Sequence, residues 1–166
     1  MLNRLTTHSL RRVGVWAALA ATAWALLACA APQPPKEATY GAKVGVVNHT
    51  DRYVYYASVN GGGGGQMSEY SAGGASICCV SVPLKWRPGL KAHVEWDMPI
   101  GSQHTYQEKT VDIEPYGPDD SGGSVYIHLF PNGEVKVVVA RYGGASTKHP
   151  IPAPVKPAGW KRKEGA

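Results

Sequence analysis

Residues 124–142, SVYIHLFPNGEVKVVVARY, decide the fold, because two apolar runs here flank one turn signal, Pro131-Asn132-Gly133. A three-residue loop gathers six apolar side chains on one face, paired across the strands as Val125 with Val139, Ile127 with Val137 and Leu129 with Val135. A two-residue loop spreads the valines over both faces. We therefore predict a hairpin with the longer loop, in which Pro131 and Asn132 form a type I turn and Gly133 is left-handed at a bulge.

Alternation of apolar and polar residues assigns two further faces. The hairpin face opposite the valines carries Tyr126, His128 and Phe130. This face is either an aromatic outer surface or is covered by another strand. In residues 91–98 the polar side chains share one face, namely Lys91, His93, Glu95 and Asp97. His93 and Glu95 could supply two metal ligands, but a site needs three or four. We therefore predict a solvated face, with no metal and no other cofactor.

The same short apolar runs recur from residue 43 onward. They are rich in Val, Tyr and Ile and are separated by Gly, Pro, Asn and Asp, and no helical period continues past the N-terminal region. Strands are predicted over residues 43–48, 53–60, 77–83, 90–98, 106–114, 124–130 and 134–142. This pattern predicts an all-β fold: a single two-sheet β-sandwich, immunoglobulin-like in outline, with disordered ends. A small barrel is the alternative.

The N-terminal region has the features of a secretory signal. Basic residues precede an apolar run over residues 13–27, which is short for a membrane-spanning helix of about 20 residues. The run ends in Leu26-Leu27-Ala28-Cys29, which matches the bacterial lipobox pattern. We predict that residues 1–28 are removed as a signal peptide and that Cys29 is lipidated. The alternatives are a transmembrane anchor and an ordinary cleaved signal.

The lipidation prediction divides the rest of the chain and places it in the cell. Residues 29–42 are predicted to be a lipidated, proline-rich spacer, residues 43–143 the sandwich, and residues 144–166 a proline-rich basic tail that is extended, mobile and makes no core. The residue after the lipidated cysteine is Ala30. An aspartate at that position would favour retention in the inner membrane, so we predict an outer-membrane lipoprotein that faces the periplasm.

The net charge of +5 is concentrated at the two ends of the chain. Three arginines lie in the signal, and the C-terminal tail adds a further excess of basic residues, so the body between them is about neutral. A nucleic-acid-binding domain carries a basic patch on its folded body. The sequence therefore predicts no nucleic-acid partner.

Two cysteines remain once Cys29 is lipidated, and they are the neighbours Cys78 and Cys79. Adjacent residues on a regular strand point to opposite faces and cannot bond to each other there. Three interpretations stay open: a buried thiol with a half-exposed neighbour, a strained vicinal disulfide, or an intermolecular or redox role.

The motifs of common enzymes are incomplete in this chain. The five glycines of residues 61–65 are followed by Gln66-Met67-Ser68 and not by a phosphate-binding Gly-Lys-Ser/Thr, so we predict a flexible surface loop. Gly74-Ala75-Ser76-Ile77-Cys78 lacks the closing glycine of a nucleophile elbow. We therefore predict that the protein is not an enzyme and has no catalytic residues.

Four short motifs carry a family resemblance, and they lie at residues 48–53, 59–61, 78–80 and 85–89. Their order and spacing resemble the proteobacterial lipoprotein family known as domain of unknown function 3304, over about residues 44–142. Relatives in that family often look like companions of type VI secretion phospholipase effectors. The resemblance thus implies a periplasmic immunity protein with a secreted lipase-type effector as its protein partner.

Two hypotheses for function follow. In the first, the protein is a membrane-anchored protein-binding module, and the candidate contact residues are Asn48, His49, Asp51, Tyr53, Trp86 and Arg87, which lie in two predicted turns. In the second, it is a structural lipoprotein that contacts peptidoglycan or outer-membrane components through its tail. Gene order discriminates them, since a neighbouring lipase-like effector gene favours immunity.

Overall fold

The computed structural model describes residues 36–63 and 65–162. The predicted signal peptide and the lipidation site at Cys29 lie outside these residues. Within the described chain, no helix has the length and apolar character needed to cross a membrane.

The described residues form two β-sheets, which confirms the predicted all-β sandwich. One sheet has the order β4-β1-β8-β9, with β5 also paired to β1, and the other has the order β3-β2-β6-β7. The strands are β1 (Thr39–Asn48), β2 (Tyr56–Val59), β3 (Gly62–Gly63), β4 (Ser71–Ala72), β5 (Ile77–Pro83), β6 (Lys91–Asp97), β7 (Tyr106–Asp112), β8 (Ser124–Leu129) and β9 (Val135–Ala140). The sequence did not predict β3 and β4, each of which is two residues long.

The β8–β9 hairpin has the predicted register. Val125 is opposite Val139, Ile127 is opposite Val137 and Leu129 is opposite Val135. The predicted type I turn was wrong, because Asn132 has a φ of 64° and Gly133 a φ of 72°. Both residues are left-handed, a conformation that asparagine tolerates better than other side chains.

Strand β1 is the central element of its sheet and defines the long axis of the domain. It begins at Thr39, four residues before the predicted strand, because its first half pairs with β5 and its second half with β8. Ten extended residues span roughly 30 Å. We call the end at Thr39 the near end, which includes loops 84–90 and 113–123. The end at Asn48 is the far end, which includes loops 49–55, 98–105 and 130–134.

Valine dominates the core between the sheets, and a second apolar cluster lies on the outer face of β1, β8 and β9. This second cluster contains Val47, Tyr126 and Val138, with Ile151 of the C-terminal segment packed against it. His149 is also buried there. The prediction of a tail without core contacts was therefore wrong for residues 144–151. Tyr126 and His128 lie beneath this irregular segment and not beneath a further strand.

The glycine run is closely packed where the structure describes it, so the predicted flexible loop was wrong for Gly62 and Gly63. These two residues pair with β2 as strand β3. A Cβ atom on Gly63 would lie 2.7 Å from Cβ of Val44, and one on Gly62 would lie 2.6 Å from the carbonyl oxygen of Cys79. Glycine is thus required here because the backbone of one sheet approaches the other.

Cys78 and Cys79 are bonded to each other as a vicinal disulfide, the second of the three interpretations. Both residues are exposed in β5. The pair is therefore a surface feature and not part of the core.

Candidate interaction surface at the far end

The turn after β1 is organised by the buried side chain of Asn48. Its Nδ2 donates to the carbonyl oxygens of Arg52 and Ser68, at 2.7 and 3.0 Å. Its Oδ1 accepts from the backbone N–H and the hydroxyl of Thr50, at 3.0 and 2.8 Å. The predicted turn chemistry is therefore present, but Asn48 holds the turn and is not available to a partner.

The other candidate contact residues divide between the two ends. His49, Asp51 and Tyr53 lie at the far end, with Asp51 exposed and the other two partly buried. Trp86 lies at the near end, where its Nε1 donates to the carbonyl oxygen of Ile113 at 2.9 Å. Arg87, also there, pairs with Glu37 just before β1. The sequence candidates thus do not form one site.

Arg52 joins two loops of the far end. Its guanidinium donates to the carbonyl oxygen of Met98 and, at 3.1 Å, to Oγ1 of Thr105. These contacts connect the turn after β1 to the loop between β6 and β7. The two sheets are therefore bridged at this end by a side chain that the sequence pattern did not single out.

A fully buried carboxylate, Asp97, fixes the base of the same loop. Its Oδ1 accepts from the backbone N–H of Thr105 at 2.8 Å, and its Oδ2 contacts Nδ1 of His104. Alternation placed Asp97 on the solvated face, which was wrong because the 98–105 loop folds back over it. The contact with Asp97 holds the His104 ring in one orientation, and Nε2 of the ring makes no contact with this aspartate.

Aromatic side chains flank His104 and are exposed. The Tyr55 ring meets His104 edge-on at a centroid distance of 5.1 Å, and Tyr106 stacks on its other side at 5.6 Å. Tyr55 is 53% exposed and Tyr106 is 74% exposed. We call Tyr55, His104 and Tyr106 the Tyr106 patch. Clustered exposed aromatics of this kind are characteristic of protein-contact surfaces.

A cavity of about 250 Å³ opens at the far end. The turn after β1 and the β8–β9 loop form its walls, and its lining includes Arg52, Trp96, Met98 and Phe130. The residues of the Tyr106 patch do not line this cavity, which is a separate feature of the far end and could accept a partner side chain.

Three histidines form a hydrogen-bonded chain that connects the far end to the C-terminal segment. His149 Nδ1 lies 2.8 Å from the carbonyl oxygen of Tyr142 and must donate to it, so its Nε2 accepts. His128 Nε2, 3.0 Å away, is therefore the donor, and His128 Nδ1 accepts from His49 Nε2 at 3.0 Å. The contacts thus assign which ring nitrogen donates and which accepts along the chain.

Burial favours the neutral forms of His128 and His49. Desolvation, followed by the charges of His149, His49 and Lys136, lowers the pKa of His128 to about 3. Burial also lowers the pKa of His49, and its ring stacks on Phe130 at 4.2 Å between centroids. His128 therefore contacts His149 of the C-terminal segment as a neutral ring. Sequence alternation correctly predicted that His128 lies on the hairpin face opposite the valines. It did not predict that His128 contacts His49 and His149.

The fold and this surface define a class: an all-β sandwich with an aromatic far end that is stabilised by buried polar contacts. Residues 47–137 match the model of the family described as Protein of unknown function (DUF3304), and the chain belongs to that family. The matched segment includes all three loops of the far end. No curated protein and no solved structure matches the chain.

Proposed function

We propose that this protein is a lipid-anchored periplasmic protein-binding module that contacts its partner through the far end of the domain, chiefly through the Tyr106 patch. The observation that carries the proposal is the exposure of Tyr55 and Tyr106 on either side of His104, whose position is fixed by buried Asp97. The role that the family resemblance implies is immunity against a type VI secretion phospholipase effector. The protein would then cap the effector's active-site cleft or substrate entrance.

Preorganisation of the far end supports this proposal. Arg52 links the turn after β1 to the 98–105 loop, and Asp97 binds both the backbone of that loop and His104. A surface that is already ordered loses less conformational entropy when it binds. Tyrosine also contributes a large contact area with few rotatable bonds. These properties favour tight binding by a small surface.

The proposed tether joins the domain at one end of β1, and the Tyr106 patch lies at the other end. A lipid on Cys29 would connect to the sandwich through Thr39, at the near end of β1. The Tyr106 patch lies at the opposite end, roughly one β1 length of 30 Å away.

The alternative is a structural lipoprotein that uses its tail to contact the envelope. Two tail side chains are already engaged within the domain, since Trp160 packs on Tyr70 and Arg162 pairs with buried Glu69 at 2.6 Å. These contacts leave less of the tail for an external ligand. They favour the far end over the tail as the contact surface.

A competition experiment between sister cells tests the immunity role. If a lipase-type effector gene neighbours this gene, we expect a strain that lacks both genes to be killed by a parent strain that delivers the effector. Expression of the wild-type protein in the deletion strain should restore normal competition. A deletion strain that competes as well as its parent would argue against immunity and favour the structural role.

A further inference from the structure

We propose that His93, Glu95 and Glu108 form a binding site for a divalent first-row transition metal ion, best suited to Zn²⁺. One ligand atom from each side chain lies within 4.8 Å of the other two. The sequence pattern supplied two of these ligands on one strand, His93 and Glu95. Pairing of β6 with β7 adds the third, because Glu108 lies directly opposite Glu95.

The separations of the ligand atoms are close to those of a zinc site. His93 Nε2 lies 3.8 Å from Glu95 Oε1 and 3.6 Å from Glu108 Oε2. Bonds of about 2.0–2.1 Å in a tetrahedral site place ligand atoms roughly 3.4 Å apart, so small side-chain rotations are sufficient. One imidazole nitrogen with two carboxylate oxygens suits zinc, whereas magnesium and calcium prefer oxygen ligands alone. Three protein ligands leave a fourth position for water.

The charges around the cluster also favour a bound cation. Like charges directly opposite each other in a β-ladder are destabilising, and Glu95 and Glu108 form such a pair. In the part of the chain that the structure describes, the only basic group within ion-pair distance of either carboxylate is His93. Lys91, on the same face, pairs with Asp112 instead. A divalent ion between the two glutamates removes this repulsion.

Two hydroxyl groups support the ligands from outside the cluster. Ser58 Oγ donates to Glu95 Oε2 at 3.1 Å, which leaves Oε1 facing His93. Thr110 Oγ1 lies 3.4 Å from His93 Nδ1. A proton on Nδ1, donated to Thr110, leaves the lone pair of Nε2 facing the carboxylates. Outer partners of this kind orient the ligands in known metal sites.

Zinc titration of the untagged full chain in detergent tests the site by calorimetry. We expect the wild-type protein to bind one Zn²⁺ ion per chain and Glu108→Gln to weaken binding by at least about tenfold. Asp112→Asn is the matched control, since it removes a carboxylate from the same face of the same strand. It should change the affinity less than about threefold. His93→Gln is a second ligand variant and should also lose binding.

Zinc should also raise the thermal unfolding midpoint of the wild-type protein and of Asp112→Asn, but not that of Glu108→Gln. The Glu108 side chain is 73% exposed, so this variant is expected to keep the fold. Absence of zinc binding by the wild-type protein would overturn the proposal. Equal weakening by Glu108→Gln and Asp112→Asn would overturn it as well, because binding would then reflect general surface charge.

Discussion

Acidification from about pH 6.5 to about pH 4 is expected to destabilise the domain by about 3 kcal/mol through His128 alone. The pKa of His128 is lowered from 6.5 to about 3, chiefly by burial. Between these two values the unfolded chain binds a proton that the folded chain does not. The free energy of unfolding therefore falls as the pH falls, by about 1.4 kcal/mol per pH unit.

The groups that face His128 strengthen this effect. His49 and His149 lie at its two ring nitrogens, and Lys136 is its cross-strand neighbour. A proton added to His128 would turn Nδ1 from an acceptor into a donor, directly opposite the donating Nε2 of His49. Protonation therefore breaks the contact as well as placing a charge in a buried site.

Urea unfolding of the wild-type protein and of His128→Gln, measured between about pH 4.5 and pH 6.5, checks this prediction. Glutamine is neutral throughout this range, so the variant should be less stable at neutral pH but should lose less stability on acidification. Equal slopes for the two proteins would show that His128 does not carry the acid sensitivity.

Asn48→Ala is expected to lower the free energy of unfolding by about 3 kcal/mol, since it leaves buried backbone groups without partners. The lost contacts are those to Thr50, Arg52 and Ser68. The same turn positions Arg52, which contacts the 98–105 loop. The variant should therefore also weaken the contact between these two loops of the far end.

Asp51→Ala is the matched control, since Asp51 lies in the same turn and is exposed. It should change the free energy of unfolding by less than about 0.5 kcal/mol. Denaturant unfolding measures both values. A similar small effect for Asn48→Ala would mean that its four hydrogen bonds do not hold the turn.

The sequence predicted those parts of the fold that depend on local alternation. The register of the β8–β9 hairpin follows from the segregation of its valines, because a shift of one residue would move them to the other face. Strands β2, β6 and β7 of the second sheet were found for the same reason, whereas its two-residue strand β3 was not predicted. Only their ends differ, by a few residues.

Features that depend on distant contacts could not be predicted in this way. The C-terminal segment was predicted to be an extended tail because it is rich in proline and glycine. Nothing in that composition indicates that the segment packs against Tyr126 and His128. Asp97 was predicted to be solvated because it alternates with buried residues along β6. That alternation does not show that the 98–105 loop covers its side chain. The third member of the glutamate and histidine cluster, Glu108, requires the pairing of β6 with β7.

The candidate interaction surface was predicted only in part. The two candidate turns lie at opposite ends of β1, residues 49–53 at the far end and Trp86 and Arg87 at the near end, roughly 30 Å apart. Tyr55 and Tyr106 were missed because an exposed aromatic residue looks the same in a sequence as a buried one.

The affinity of the protein for its proposed partner, a secreted lipase-type effector, tests the central claim most directly. We expect Tyr106→Ala to weaken binding by about thirtyfold or more, as for an interface hot spot. Arg87→Ala, at the near end, should leave the affinity unchanged. Wild-type affinity for Tyr106→Ala, or a loss of binding with Arg87→Ala alone, would contradict the assignment of the far end as the contact surface.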